Sequence, residues 1–550
     1  MNQKLLISFY FAFCSISAIA QNFTSSNLPI VIIETNGKAI VNEPKIEVTM
    51  KIINNGVGKR NNLTDKPNDY NGLVGIEYRG STSQDFFPKK PYGFETRDAQ
   101  ANGIDASILG FPKEQDWILY PSYNEKSLMH NMMAMKMARD MGMYGSRTQH
   151  VEVVLNGKYD GIYVMMEKVK RNSARVNIAK LTDQDNAGDA LTGGYIFKID
   201  KTTGSGGNTG WNSKINPPKL ATPTMPNNPT TFYQYDYPKS IAITFAQKQY
   251  IRAVVDSAEL TLNSPNFKDP TTGYRKYFDS QSFAQYFLLN EVSKNIDGYR
   301  ISSYFYKDKN SKNRRIKAGP PWDYDLAFGN AEYCEGYKYT GWAYLFGAIC
   351  PDDYWQVPFH WKKMLEDEVF VGEVYSEYIN LRKGKWKTET LHAYIDSVAT
   401  ALDESQKRNF VRWPVLGVYL WPNPRPIPTT YQGEVSYFKS WLAARLDWLD
   451  QNIPGRLLAT EPLVNNDTEL KVVAAPNPFR ENLNLQIKSP RRMEVLMELF
   501  DVGGRLVQSK LQTLENGDSH VSMPVSGSSG QYILRVNSSN ETVRLKVLKE

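Results

Sequence analysis

Apolar residues recur along this chain with two different periods, and the stretches where each holds sketch its architecture. Residues 45–53 alternate, with Ile46, Val48, Met50 and Ile52 on one face and Glu47, Thr49 and Lys51 on the other. A period of two is that of a half-buried strand. Residues 28–35, 73–78, 92–95 and 193–201 are further runs with β-branched and aromatic residues and read as strands. Residues 151–155 and 159–166 are two more, joined around Asn156-Gly157, the strongest short hairpin signal. The longer period appears at 122–141, where Leu128, Met132, Met135 and Ala138 share a helical face that reads as core packing. Ser122, with Glu125 three residues on, predicts a capping box there, and Gly142 a stop. Helices are also expected at 247–262, at 282–291, through most of 353–396, and at 434–452, where Trp441 and Trp448 share a face. Residues 202–238, rich in Gly, Asn, Pro and Thr, predict one long flap.

Past Pro454 the pattern changes. Short alternating runs at 482–487, 495–500, 530–536 and 542–548 are separated by turn signals such as Asp501-Val502-Gly503-Gly504 and Asn516-Gly517-Asp518. That spacing predicts a small β-sandwich. At the other end, Lys4, the apolar run 5–13 and Ala18-Ile19-Ala20 read as a signal peptide with its cleavage site. The expected divisions are a signal peptide at 1–20, an α+β body at 21–458, a linker at 459–470 and an all-β domain at 471–550. No later run approaches the ~20 apolar residues of a membrane span. Losing the leader takes one lysine from the formal +7 and leaves +6, which gives no nucleic-acid footprint. Two cysteines then remain, Cys334 and Cys350. In an oxidising compartment they can pair; otherwise they are two buried thiols.

The candidate chemistry lies in residues 294–330. Asp297-Gly298 precedes a strand at 301–306, a basic turn follows at 307–314, and 315–318 returns as a second strand before Trp322-Asp323-Tyr324-Asp325. A hairpin of this shape brings Asp297 and Asp323 to one end. Two converging carboxylates suit one divalent cation with a phosphate on its open side, the layout of protein kinases. Solvated turn residues would read the same way. Upstream, Arg79-Gly80-Ser81 followed by Lys89 and Lys90 on a second strand suits a hairpin that covers phosphates, or a plain surface turn.

Residues from about 28 to about 455 resemble the CotH kinases, a family named for a spore-coat protein. The segments that carry the resemblance are Arg79-Gly80-Ser81, Lys89-Lys90-Pro91-Tyr92, Asp116-Trp117-Ile118-Leu119, Gly161-Ile162-Tyr163 through Glu167-Lys168, Asn295-Ile296-Asp297-Gly298-Tyr299, and Trp322 through Gly329. The resemblance implies an atypical protein-kinase-like fold that binds ATP and magnesium and phosphorylates Ser or Thr of exported proteins. It implies Asp297 as the catalytic residue, and Asp323, with Asp325 and Ser302, at the metal. Lys90 or Lys89, with Arg79, is implied at the phosphates, and Glu167 as the lysine's partner. Two positions depart from the pattern: Ser302 stands where the family places Asn, and His130 where it places Arg. The tail, with Ala475-Pro476-Asn477-Pro478-Phe479 and Gly530-Gln531-Tyr532-Ile533-Leu534, resembles the type A sorting domain of the type IX secretion system of Bacteroidetes. It implies that machinery as a partner and the outer cell surface or medium as destination.

Three function classes follow. The first is a kinase of exported proteins. The second is a surface-binding protein on a kinase-like scaffold, which the Ser302 departure favours. The third is a polysaccharide hydrolase, suggested only by paired carboxylates and a 12% aromatic content.

Overall fold

The computed structural model describes residues 23–202, 207–217, 230–456, 470–489, 491–501, 505–538 and 542–550. The signal peptide and nearly all of the linker expected from the sequence lie outside these residues.

The N-terminal strands close on themselves. Strands β1 (Ile30–Glu34), β2 (Ile46–Ile53), β3 (Tyr70–Tyr78), β4 (Tyr92–Arg97), β5 (Asp116–Tyr120), β6 (Thr148–Leu155) and β7 (Lys158–Glu167) form a barrel in the order β1-β2-β3-β4-β5-β7-β6. The seam is the parallel pairing of β1 with β6, in which Ile30 faces Glu152 and Ile33 faces Leu155. The period-two apolar positions point inward. Val31, Met50, Val74, Trp117, Val151 and Met165 are all fully buried in one cluster, because a small barrel has only side chains to fill its interior.

Helix α1 (His130–Asp140) lies against the outside of this barrel through Met132, which packs with Ile118, Val164 and Met166. It begins eight residues later than the Ser122–Glu125 spacing suggests. Ser122 and Leu128 both occupy the left-handed region, at φ 43° and 66°, so the chain turns where a first helical turn was expected. Glu125 still caps, but from a distance: its Oε2 accepts the His130 N–H at 3.2 Å.

A second sheet follows, built from β8 (Tyr195–Ile199), β9 (Gly210–Asn212), β10 (Phe232–Tyr237), β11 (Ser303–Lys307) and β12 (Ile316–Ala318) in the order β9-β10-β8-β11-β12. Two of these strands fall inside 202–238, so that segment is not one flap. Trp211 and Tyr233 stack at 5.3 Å, and aromatic pairing across the strands outweighs the Gly and Pro around them. Residues 203–206 and 218–229 of the segment lie outside the described residues.

Helices α2 (Phe245–Leu262), α3 (Ser280–Ser293), α4 (Glu368–Arg382), α5 (Thr388–Arg412) and α6 (Tyr431–Asn452) complete the body. A capping box at Thr244 and Gln247 starts α2. Helix α3 is buried on every side from Ser282 to Ser293. It carries Glu291 into a pairing with Arg445 of α6 at 3.3 Å, both side chains fully buried. Glu291 also accepts the Ala343 and Tyr344 N–H groups at 2.8 and 2.9 Å and the Tyr299 hydroxyl at 2.9 Å.

The tail is all-β. A three-stranded sheet, β13 (Lys471–Ala474), β14 (Asn482–Ser489) and β17 (Gly517–Pro524), and a four-stranded one, β15 (Met493–Asp501), β16 (Leu506–Leu514), β18 (Gly530–Asn537) and β19 (Thr542–Lys549), share one core that includes Leu485, Met497 and Leu534.

Candidate functional site

Asp297 sits in a tight loop at the end of α3. Lys294 ends the helix at φ 42°, the Asp297 N–H donates to Asn295 Oδ1 at 3.3 Å, and Ile301 N–H donates to the Asp297 carbonyl at 3.1 Å. Gly298 is required by contact, since a Cβ there would lie 2.4 Å from Asn290 Oδ1. Arg300 donates from Nη2 to Asp297 Oδ1 at 2.9 Å.

The hairpin β11–β12 then returns the chain to Asp323. Its backbone is left-handed, φ 65°, a conformation that costs a non-glycine residue energy and persists only where its surroundings hold it. The holding groups are visible. Asn295 Nδ2 donates to the Asp323 carbonyl at 3.4 Å, and Tyr324 N–H donates to Asn131 Oδ1 at 2.9 Å. Gly329 closes the motif at φ 83°, where a Cβ would meet Trp441 Cδ1 at 2.5 Å. Ser302 stands between the two loops, its Oγ 3.5 Å from Asp323 Oδ2 and its N–H 3.4 Å from Asp200 Oδ1. Asp325 Oδ2 accepts from Asn124 Nδ2 at 3.2 Å, and the Asp325 carbonyl lies 3.4 Å from His130 Nδ1. The His130 departure thus falls directly behind the acidic loop.

Asp200 was absent from the sequence candidates. It follows β8, and the pairing of Ile199 with Ser303 sets it opposite Ser302. An acidic residue just past a strand end is the same signal that marked Asp297 and Asp323, and it could have been read.

Burial, then the charges of Asp297 and Asp200, push the Asp323 carboxyl up to about 6. Burial and then Asp323 and Asp297 raise Asp325 well above the carboxylate range. Burial also raises Asp297, against the attraction of Arg300 and Lys201. Carboxyls that resist ionisation, first through burial and then through one another's charge, form a site that gains from a cation. Among the described residues, no group of three or more His, Cys, Asp or Glu side chains is set to hold a metal ion as a closed cage. Magnesium takes one or two carboxylates and fills its remaining positions with water and substrate phosphate. Asp323 with Ser302, and Asp200 or Asp325 beside them, are the residues that would hold it.

Positive groups face this cluster. The Arg79 guanidinium lies 5.3 Å over the Trp322 ring, and the charges of Asp323 and Asp200 reach it. Lys198 Nζ is 2.7 Å from Asp200 Oδ2. Lys168, beyond Arg79, sits 3.9 Å from Asp116, and burial pushes it down to about 8. The sequence-selected Lys89, Lys90 and Glu167 are elsewhere. Lys90 Nζ donates to the Gln84 carbonyl. Glu167 accepts from the Arg147 side chain at 2.8 Å, with Arg175 Nε 3.5 Å away and the Tyr144 hydroxyl at 3.2 Å. Its partners are arginines at the barrel's end.

Lys89 points into the barrel wall. Its Nζ donates to the Ile162 carbonyl at 2.5 Å and Asn409 Oδ1 at 3.1 Å and lies 4.7 Å over the Tyr163 ring. Burial brings it down from 10.5 to about 7. A neutral amine can still donate both hydrogen bonds. The unfolded chain therefore binds more protons than the folded one between those two values, and stability should rise with pH across that window. Lys89→Met should remove this rise and leave nucleotide binding unchanged. Denaturation midpoints near pH 7 and near pH 10, with a nucleotide titration, check both. A variant that keeps the full alkaline rise would contradict this reading of Lys89.

Two family models match the chain. One, described as CotH kinase protein, covers residues 76–449, and the other, a secretion system C-terminal sorting domain, covers residues 474–550. No curated protein matches it. The sorting domain implies the type IX secretion machinery as a partner and delivery to the cell surface or beyond. Among the described residues, no helix is long and apolar enough to cross a membrane.

Proposed function

The chain belongs to the CotH kinase protein family, and from that premise we propose that it is an exported kinase that transfers the γ-phosphate of ATP to Ser or Thr hydroxyls of other exported proteins. The observation that carries this is the meeting of Asp297, Asp323, Ser302 and Asp200 at one end of the β11–β12 hairpin, with Arg79 facing them.

The roles follow from chemistry. Phosphoryl transfer needs positioning and charge neutralisation more than covalent help from the protein. A bound magnesium ion would neutralise phosphate charge at Asp323. Arg79 and Lys198 supply fixed positive charge beside the carboxylates. Asp297 orients the acceptor hydroxyl and takes its proton. Burial raises its affinity for protons, which makes it a stronger base than an exposed carboxylate. Ser302 offers a hydroxyl where the family offers an amide oxygen, a weaker ligand for a hard cation. That substitution is the one feature that favours the second reading, a surface-binding protein on the same scaffold. Magnesium-dependent binding of a labelled ATP analogue to the purified protein separates the two. Binding that requires magnesium supports the kinase; no binding leaves the binding protein.

The tail acts separately from this chemistry. Deleting residues 471–550 should leave the protein in the periplasm, with the body still folded, because body and tail each have their own core. Fractionation of cells expressing the truncated chain reads the outcome, and normal surface delivery would remove the tail's assigned role.

A further inference from the structure

Asp297 is held in place by Arg300, and Arg300 is in turn held by a loop that carries a disulfide. Arg300 Nε donates to the Ile296 carbonyl at 2.9 Å and Nη2 to Asp297 Oδ1 at 2.9 Å. Its Nη1 donates to Asp353 Oδ1 at 3.1 Å and to the Trp355 carbonyl at 3.2 Å, and the guanidinium lies 3.9 Å over the Phe346 ring. The Arg300 side chain is 3% exposed, so these contacts leave it no other orientation.

Phe346, Asp353 and Trp355 all flank Cys350. The Cys350 N–H donates to the Phe346 carbonyl at 2.8 Å. Gln356 Nε2 donates to the Cys350 and Asp353 carbonyls at 3.1 and 2.7 Å. On the other side of Asp297, the segment that starts at Cys334 grips residues 294–296. Lys294 Nζ donates to the carbonyls of Glu335, Lys338 and Thr340 at 2.8, 3.0 and 2.7 Å. Gly336 packs so near Ile296 that a Cβ would stand 3.1 Å from its Cδ1. Cys334 and Glu335 themselves hold left-handed backbones, φ 49° and 59°. The Cys334–Cys350 bridge ties these two segments together, with Cα atoms 5.6 Å apart. Asp297 therefore sits between two arms that the bridge joins.

Resting on the kinase reading above, we infer that Arg300 and Asp353 are positioning residues for Asp297, and that the Cys334–Cys350 bridge makes this positioning conditional on an oxidising compartment. The reduced chain, as it exists before export, binds nucleotide but orients its base poorly. Thiol–disulfide exchange with a disulfide-bearing oxidant of that compartment passes two electrons and two protons from the two thiols to the oxidant, which leaves as a dithiol, forms the one S–S bond and sets Asp297. In the reverse direction dithiothreitol gives up two electrons and two protons, leaves two thiols, and closes into its own cyclic disulfide.

The test uses the full mature chain and Mg-ATP, with ATP turnover and autophosphorylation as activity and a fluorescent ATP analogue for affinity. Dithiothreitol treatment, Cys334→Ser with Cys350→Ser, and Asp353→Ala should each lower kcat at least tenfold, with nucleotide affinity within about twofold of wild type. Asp353→Asn keeps an acceptor oxygen for Arg300 Nη1 and should recover most of the activity. A general loss of structure would move affinity and kcat together and would not be rescued by Asn. Unchanged kcat after complete reduction, or equal loss in Asp353→Asn and Asp353→Ala, would overturn the inference.

Amide hydrogen exchange of residues 296–301 reads the same positioning without chemistry. Reduction should speed it at least tenfold, whether or not the chain turns over ATP. Unchanged exchange overturns the relay by itself, while absence of nucleotide binding in the oxidised wild type overturns only the kinase reading.

Discussion

Asp323→Ala is expected to abolish magnesium-dependent nucleotide binding. The change removes the carboxylate that Ser302 touches and whose proton affinity burial, then Asp297 and Asp200, raise, and with it the principal oxygen that would hold the proposed magnesium ion. Asp297→Asn should behave differently. The amide still accepts from Arg300 and keeps the loop, so nucleotide should bind while transfer falls by roughly 10²-fold or more, the scale of a positioned general base. Ser302→Asn adds the family's amide oxygen at a residue whose backbone, φ 51°, is one that Asn adopts readily. It should tighten magnesium binding. Calorimetry with an ATP analogue, alongside autophosphorylation, separates the three. Equal nucleotide binding in wild type and Asp323→Ala would remove Asp323 from the metal.

The largest expected effect on stability lies away from the acidic loops. Arg445→Ala should cost about 3–5 kcal/mol, the range for breaking a buried ion pair by removing one partner. Arg445 and Glu291 are both fully buried at 3.3 Å. Arg445 also donates to the carbonyls of Glu291, Tyr339 and Gly341 at 2.8, 2.8 and 2.6 Å. Truncation strands a buried carboxyl and several carbonyls at once. Replacing both partners, as Glu291→Gln with Arg445→Met, should cost less than the sum of the single changes, because fewer polar groups are left unpaired. Urea midpoints of the wild type, Arg445→Ala, Glu291→Gln, Arg445→Met and the double change measure it. A loss under about 1 kcal/mol in Arg445→Ala would show that water reaches the pair.

The residues 294–330 were legible because their chemistry is unusual for their place: acidic groups beside glycine at strand ends, with a hairpin between them. The β11–β12 pairing follows directly from that pattern, with Phe305 opposite Ala318. Barrel closure was not legible. Each strand announces its own alternation, but the β1–β6 seam pairs residues more than a hundred positions apart, and no local signal marks it. The strand Leu506–Leu514 is hard to read because only Leu514 in it is buried, so its apolar alternation is faint. On the phosphate side the candidates separate. Lys89 and Lys90 were chosen by charge and by a family motif, yet charge in a sequence does not say which way a strand's side chain points. Lys89 turns into the wall and Arg79 turns to the carboxylates. Arg300 and Asp353 are separated by the β11–β12 hairpin and the segment after it and share no motif, so only the fold brings them together.

The seam of the barrel has a consequence for self-association. A closed cylinder presents no edge strand, and here closure depends on one five-residue segment, Ile30–Glu34, near the start of the described residues. Lose that segment and the cylinder becomes an open six-stranded sheet with two bare rims, Ile46–Ile53 and Thr148–Leu155. Both rims carry β-branched apolar residues and unpaired backbone donors, the template on which one chain adds to another. Loss of that strand would thus turn a closed wall into an aggregation surface without touching any of the acidic residues of the candidate site.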